Sequence, residues 1–312
     1  MRVLVAGATG AAGRALIPVL ARRGHVVAGM ARNPEDVGML GGQPVAVDAL
    51  DPKAVVAAVA AFRPEVIVHQ MTALPQHSSL LRFDHDFHAT NRLRTVGTDI
   101  LMEAARIHGV RRIVAQGYCG WPNARTGAMV KDEDDPLDPH PLPAMARTLD
   151  ALRYLEETVA GAHDIQGVVL RYGGFYGPGT QLARGGHLAE QVRMRRFPLV
   201  GDGTGVWSFI HTDDVATATC AAVEGDARGI FNVVDDDPAP VSAWLPALAH
   251  AMGAPAPRHV PAWLARVILP AHIRAMMLEI RGGSNARFKR VFNWMPSVPS
   301  WRNGFAMEFG TS

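Results

Sequence analysis

Short runs of apolar, largely β-branched residues recur at 3–6, 26–30, 66–69, 113–116 and 168–172, and segments with helical spacing of apolar positions lie between them at 14–23, 52–62, 91–108 and 144–160. Strand-length and helix-length segments in alternation predict parallel strands joined by crossover helices. The strand runs are continuously apolar rather than alternating with polar residues. Strands of that kind are buried on both faces, so helices must cover the sheet from both sides. The expected fold class is α/β, a doubly wound parallel sheet. After Tyr172 the rhythm changes to a glycine-rich stretch ending near Gly186, a basic helix, a segment at 206–210, a helix from Asp213 and a strand at 230–234. A proline-punctuated helical tail follows Pro238. The main domain is expected over 1–175, with the chain returning to it at about 206–235. Residues 176–205 and 236–312 are expected to form a smaller substrate-binding part over the carboxyl ends of the strands, where open α/β sheets take ligands.

The first strand runs into Gly7-Ala8-Thr9-Gly10-Ala11-Ala12-Gly13, which then opens a helix. Glycines in that strand–turn–helix context make the tight turn of a Rossmann dinucleotide site and admit a pyrophosphate to the helix N-terminus. The second strand normally ends in an Asp or Glu that bonds the adenosine ribose of NAD. Here Met30 stands in that region and Arg32-Asn33 follows. A guanidinium pairs bidentately with a ribose 2′-phosphate, so NADP is favoured over NAD. The plain alternative for Arg32 is a solvated loop arginine. Asp48-Ala49-Leu50 ends the third strand, where Asp48 either accepts from the adenine amino group or caps the helix before Pro52. After the fourth strand Gln70, Met71 and Thr72 border the cofactor path, mainly through backbone.

Composition narrows the function classes. A chain that is 48% hydrophobic and 19% charged is not disordered. Its 31 basic and 29 acidic residues leave a net charge of +2, and no basic block is interleaved with aromatics, which argues against nucleic acid and for a small-molecule substrate. Cys119 and Cys220 are too few for a disulfide framework and suit a reducing cytoplasmic setting. The N-terminal apolar run reaches its glycine loop after about five residues, too short for a signal peptide or a membrane span.

These pieces resemble the extended short-chain dehydrogenase/reductase class, also called the NAD-dependent epimerase/dehydratase family. The resemblance rests on the glycine loop, Asp48-Ala49-Leu50-Asp51, Asn91 with Gly97-Thr98, the run from Arg171 through Tyr172, Gly173, Gly174, Phe175 and Tyr176 to Gly177-Pro178-Gly179, and Phe209-Ile210-His211-Thr212-Asp213-Asp214-Val215-Ala216. It implies a nicotinamide site to which Asn91, Gln116, Gly117, Tyr172, Gly173, Gly174 and Phe175 contribute. It also implies a homodimer formed through the helices at 91–108 and 144–160, and a helix capped by Asp213.

The family's chemistry uses a Ser or Thr and a Tyr-x-x-x-Lys, in which the lysine lowers the tyrosine pKa and the phenolate moves a proton. This set is missing. The only lysines are Lys53, Lys131 and Lys289, and none lies four residues after a tyrosine. Aligning Leu155-Glu156-Glu157 with the family helix puts Thr148 at the tyrosine position and Leu152 at the lysine position, and Gly117 stands where the serine belongs. Remaining proton-chemistry candidates are Tyr118, beside the vacant serine position, Thr148 itself, Tyr176, and His77, His85 and His88. Tyr118 has a packing alternative, and the histidines a surface one. The run Asp132-Glu133-Asp134-Asp135 reads as a solvated loop, and Arg184 with Arg193, Arg195 and Arg196 as a solvated helix face or an anion contact. No metal-ligand spacing is present. Three functions remain open: an NADP(H)-dependent oxidoreductase or epimerase acting on a small carbonyl or hydroxyl compound (a nucleotide sugar or secondary metabolite) with non-standard catalytic residues, a non-redox dehydratase, isomerase or cyclase, and a non-catalytic NADP-binding sensor.

Overall fold

The computed structural model describes residues 1–75 and 83–310. The first half contains β1 (Arg2–Ala6), α1 (Ala11–Arg22), β2 (Val26–Ala31), β3 (Gln43–Ala46), α2 (Pro52–Phe62), β4 (Val66–His69), α3 (Phe83–Arg92), α4 (Thr98–Ile107), β5 (Arg112–Tyr118) and β6 (Val130–Lys131). It continues with α5 (Ala146–Ala160), β7 (Gln166–Tyr172), β8 (Gly174–Tyr176), α6 (His187–Arg193), β9 (Leu199–Val200), β10 (Val206–Trp207), β11 (Phe209–His211), α7 (Thr212–Glu224) and β12 (Gly229–Val233). The C-terminal elements are β13 (Ala239–Pro240), α8 (Val241–Ala251), β14 (His259–Val260), α9 (Ala262–Ile268), α10 (Ala271–Leu278), β15 (Gly282–Gly283), α11 (Ala286–Phe292) and α12 (Trp301–Phe309).

Seven parallel strands form the central sheet in the order β12-β7-β5-β4-β1-β2-β3. The pleat sends successive side chains to opposite faces. Val3 and Val5 of β1, Val66 and Val68 of β4, and Val168 and Leu170 of β7 join one core with α1, α7 and Phe288 of α11. Leu4 and Ala6, Ile67, and Val169 join the other with α2, α4 and α5. Continuous apolar runs thus serve two cores at once. A third core gathers Tyr176, Phe209, Trp244, Trp301 and Phe305 from elements after β7. The strand order reverses between β1 and β4, which opens a crevice beyond their carboxyl ends.

Several local expectations shift. Asp51, not Asp48, caps α2, accepting from Lys53 N at 3.0 Å and Ala54 N at 3.2 Å, with Pro52 fixing the first helical φ. Asp48 instead closes a turn by accepting from Leu50 N, and β3 ends two residues before it. At α7 the cap is His211, whose Nδ1 accepts from Asp213 N; Asp213 already lies inside the helix, so its carboxylate is past the capping position. The segment expected as one helix at 91–108 begins at Phe83 and is interrupted by a π-helical turn, Leu93–Gly97.

Candidate functional site

The residues singled out from the sequence fall along one edge of the sheet. The glycine loop follows β1, Arg32 and Asn33 follow β2, Asp48, Ala49 and Leu50 follow β3, and Gln70, Met71 and Thr72 follow β4. Gln116, Gly117 and Tyr118 close β5, Tyr172 closes β7, and Gly173, Gly174 and Phe175 lead on into β8.

The glycine loop fits a dinucleotide phosphate. Gly7 has φ +91°, and a Cβ there would lie 2.5 Å from the Gln70 carbonyl oxygen. A Cβ on Gly13 would meet the Gly7 carbonyl oxygen at 2.4 Å, so its absence lets α1 pack against the turn. At Gly10 a Cβ would meet nothing closer than 3.5 Å, which leaves room on the cleft side. The Gly10 N-cap has no side-chain cap, and the first turn of α1 has no acidic residue. Arg14 N donates to Gly10 O, while the N–H groups of Ala11, Ala12 and Gly13, lying before that first helical bond, face outward at the positive end of the helix. Arg14 donates to Thr9 O and pairs with Asp36.

No carboxylate directly follows β2. Met30 is buried in the core, Ala31 ends the strand, and Arg32 and Asn33 are exposed. Among the described residues no carboxylate holds the Arg32 guanidinium, whereas Arg14 and Arg23 are both paired. At the end of β4 His69 is buried, and burial pushes its pKa down to about 4. Met71 N donates to its Nδ1, and its Nε2 lies 3.2 Å from Thr98 Oγ1, an arrangement that one neutral tautomer satisfies. Gln70 Nε2 donates to Tyr172 OH at 3.2 Å, while Gln70 Oε1 is enclosed without a partner, an acceptor left over beside the cofactor path.

Thr148, Asn91 and Asp84 form a relay. Thr148 Oγ1 donates to Asp84 Oδ1 at 2.8 Å and accepts from Asn91 Nδ2 at 3.0 Å. Asp84 also accepts from Thr148 N, so a carboxylate on α3 caps α5 from outside. Asn91 is thereby turned toward α5. Gly117 is closely packed, since a Cβ there would sit 3.0 Å from Val169 Cγ1, and Leu152 is buried. Tyr176 is wholly buried, its hydroxyl unpartnered against Gly304, and burial raises its pKa. Tyr172 donates to Thr219 Oγ1 at 2.7 Å inside the core. Of these tyrosines Tyr118 alone is half-buried, and it lines a small pocket with Trp121, Trp207, Met276 and Ile280.

The other candidate residues lie elsewhere. His85 and His88 are exposed on α3, and His77 is outside the described residues. The acidic run is not a wholly solvated loop: the Glu133 side chain is 2% exposed, accepts from Asn232 N and faces Arg287. Arg184 clasps the C-terminal carbonyls of Glu308 and Gly310. Arg193 pairs with Glu190. Among the described residues His25, Cys220 and Glu224 come within 4.8 Å of one another, but Arg23 holds both Glu224 oxygens and burial pushes the Cys220 thiol up to about 11. That cluster is at the far edge of the sheet. No helix of the described residues is long and apolar enough to cross a membrane. Sequence reasoning missed Asp84 and the buried Arg94 of the π-helical turn, since neither carries a motif.

Comparison with known proteins accords with this geometry. The chain is 46% identical over 311 residues, covering 99% of it and all of the relative, to a 3-diazoavenalumate denitrifying reductase of a Streptomyces species. Its fold matches the UDP-glucose 4-epimerase of Thermus thermophilus in complex with NAD, with a TM-score of 0.75, 24% identity and coverage of 99% and 98% of the two chains. It also matches a human epimerase family protein with NADPH, with a TM-score of 0.76, 20% identity and both chains fully covered. The NAD dependent epimerase/dehydratase family matches residues 3–233, and the chain belongs to that enzyme family.

Proposed function

We propose that this protein is an NADP(H)-dependent reductase that delivers hydride to an electrophilic carbon which needs no proton from the enzyme. One contrast supports the reading: the glycine loop leaves room for a dinucleotide phosphate, while the chain carries no Tyr-x-x-x-Lys. On the family alignment Gly117, Thr148 and Leu152 would take the places of serine, tyrosine and lysine, and the Thr148 hydroxyl donates to Asp84. An epimerase or a carbonyl reductase must move a proton at oxygen, and an unassisted threonine is far too weak an acid for that.

The 46% identical relative is named for a diazo compound and for loss of nitrogen. Reduction at a ring carbon bearing a diazonium group balances without a proton: the hydride of a reduced nicotinamide forms the C–H bond as the C–N bond breaks and its electron pair leaves with N₂. The loop from Gly7 to Gly13 would seat the pyrophosphate. Arg32 with Asn33 would take the 2′-phosphate, Asp48 with Ala49 and Leu50 would edge the adenine, and Gln70 through Thr72 would line the path to the nicotinamide.

Two measurements test this. Calorimetric titration with NADPH and NADH should show tighter NADPH binding that weakens at least about tenfold, 1.4 kcal/mol, in Arg32→Ala, with NADH unaffected. An ortho-hydroxybenzenediazonium probe with NADPH deuterated at C4 should release N₂ and carry deuterium on the ring carbon. Absence of enzyme-dependent NADPH oxidation, or ring hydrogen derived from solvent, overturns the reading.

A further inference from the structure

The wall between α3 and β5 holds a cation that the nucleotide site does not use. Arg94 is 5% exposed in the π-helical turn, a distortion that recurs at functional sites. Its Nη1 reaches Asn91 Oδ1 at 3.4 Å, a long bond, and its guanidinium lies 5.8 Å from the centre of the Phe87 ring. Among the described residues no carboxylate pairs with it. The other buried arginines differ. Arg171 is clamped by both Glu156 oxygens, and Arg112 donates to the Ala222 and Ala227 carbonyls and to Gln166. A buried guanidinium without a counter-anion keeps its desolvation cost uncompensated, and its geometry suits a carboxylate-like partner.

Tyr118 joins the aromatic cluster of the same wall through Trp121; burial raises its pKa to about 12, and the Arg94 charge opposes that rise. Its hydroxyl has no partner among the described residues. Tyr118 lines a small pocket with Trp121, Trp207, Met276 and Ile280, and Arg94 Nη1 is turned to Asn91. Aromatic rings continue the wall: Phe83 stacks on Phe87 at 4.5 Å, Trp121 meets Phe83 edge-on at 5.1 Å, and Tyr118 lies 6.2 Å from Trp121.

We infer that Arg94 and Tyr118 form an oxyanion-binding pair, which fixes the charged oxygen of an aromatic substrate, carboxylate or phenolate, while the substrate ring packs against Phe87 and Trp121. The inference rests on the reductase reading and adds the substrate class. The guanidinium fork and the phenolic O–H supply donors in a water-poor site, where charge-assisted bonds are strong. Where the oxygen is conjugated to the carbon that accepts hydride, negative charge grows at the oxygen during the reaction and the pair stabilises it. Asp84, Thr148 and Asn91 act as positioning residues: Asn91 donates to Thr148 and Thr148 to Asp84, which leaves Asn91 Oδ1 facing Arg94.

The test uses the full chain with NADP⁺ and two probe pairs by calorimetry, benzoate against benzamide and 4-nitrophenolate against nitrobenzene. At least one anion should bind about tenfold tighter than its neutral counterpart, 1.4 kcal/mol, and the arm that does so identifies the oxygen. Arg94→Met should abolish the preference and Arg94→Lys should keep part of it. Equal binding of anion and neutral probe in the wild type, or a preference that survives Arg94→Met, overturns the pair. Should Arg94→Met fail to fold, Tyr118→Phe decides: a preference reduced at least about twofold supports the pair, and an unchanged one refutes it. NADPH oxidation with the diazonium probe reports separately on the reductase reading, since anion preference does not depend on hydride transfer.

Discussion

Replacing Gly7 or Gly10 by alanine separates the folding of the nucleotide loop from the approach of the nucleotide. At Gly7 the backbone has φ +91°, a region L-residues avoid at a cost of about 1–2 kcal/mol. The added Cβ would also lie 2.5 Å from the Gln70 carbonyl oxygen and 2.9 Å from Met71 N. Both are backbone atoms and cannot rotate away. They are pinned in turn, because Gln70 N donates to Ala6 O at 2.8 Å and Gly7 N to Met30 O at 3.0 Å. Relieving the overlap must shift the ends of β1 and β4 together, which adds about 1–3 kcal/mol as in other overpacked sites. Gly7→Ala is therefore expected to lose about 2–5 kcal/mol of stability in urea unfolding followed by tryptophan fluorescence. Gly10 is at φ −75°, ψ 168°, with no atom nearer than 3.5 Å to its prospective Cβ. Gly10→Ala should change stability by no more than about 0.5 kcal/mol, yet weaken NADPH at least about tenfold, because the methyl occupies the approach to the helix N-terminus. Unchanged NADPH affinity in Gly10→Ala, or wild-type stability in Gly7→Ala, would refute the reasoning.

Glu156→Gln should destabilise the fold by about 3–5 kcal/mol in the same unfolding assay, because it leaves the Arg171 cation uncompensated where the two side chains are 4% and 6% exposed; a loss under about 1 kcal/mol would show that the pair is replaceable. His69 has a folded pKa of about 4, below its unfolded value of 6.5, so its stabilising contribution is complete above pH 6.5 and is lost as pH falls through that window. Between pH 7.5 and 5 this term removes about 2 kcal/mol, and His69→Gln should flatten that part of the pH profile; an identical acid slope in the variant would assign the loss to other groups.

The alternation of strand and helix, the double-sided burial of the sheet and the glycine loop were all legible in the chain. Each depends on local spacing: a strand that serves two cores has to be apolar at consecutive positions, and Val3, Leu4, Val5 and Ala6 are. The loss of the tyrosine–lysine pair was also determined by sequence alone, since no arrangement of three lysines can supply it. Tertiary structure decided where hydrogen bonds go once distant segments meet. Thr148 donates to Asp84, 64 residues away, and Glu133 turns inward because Asn232 N, 99 residues away, reaches its carboxylate. The isolation of Arg94 is of the same kind. A buried arginine and a paired one look alike in sequence, and what distinguishes Arg94 from Arg171 is that packing brought a carboxylate to one guanidinium and only an asparagine and an aromatic ring to the other.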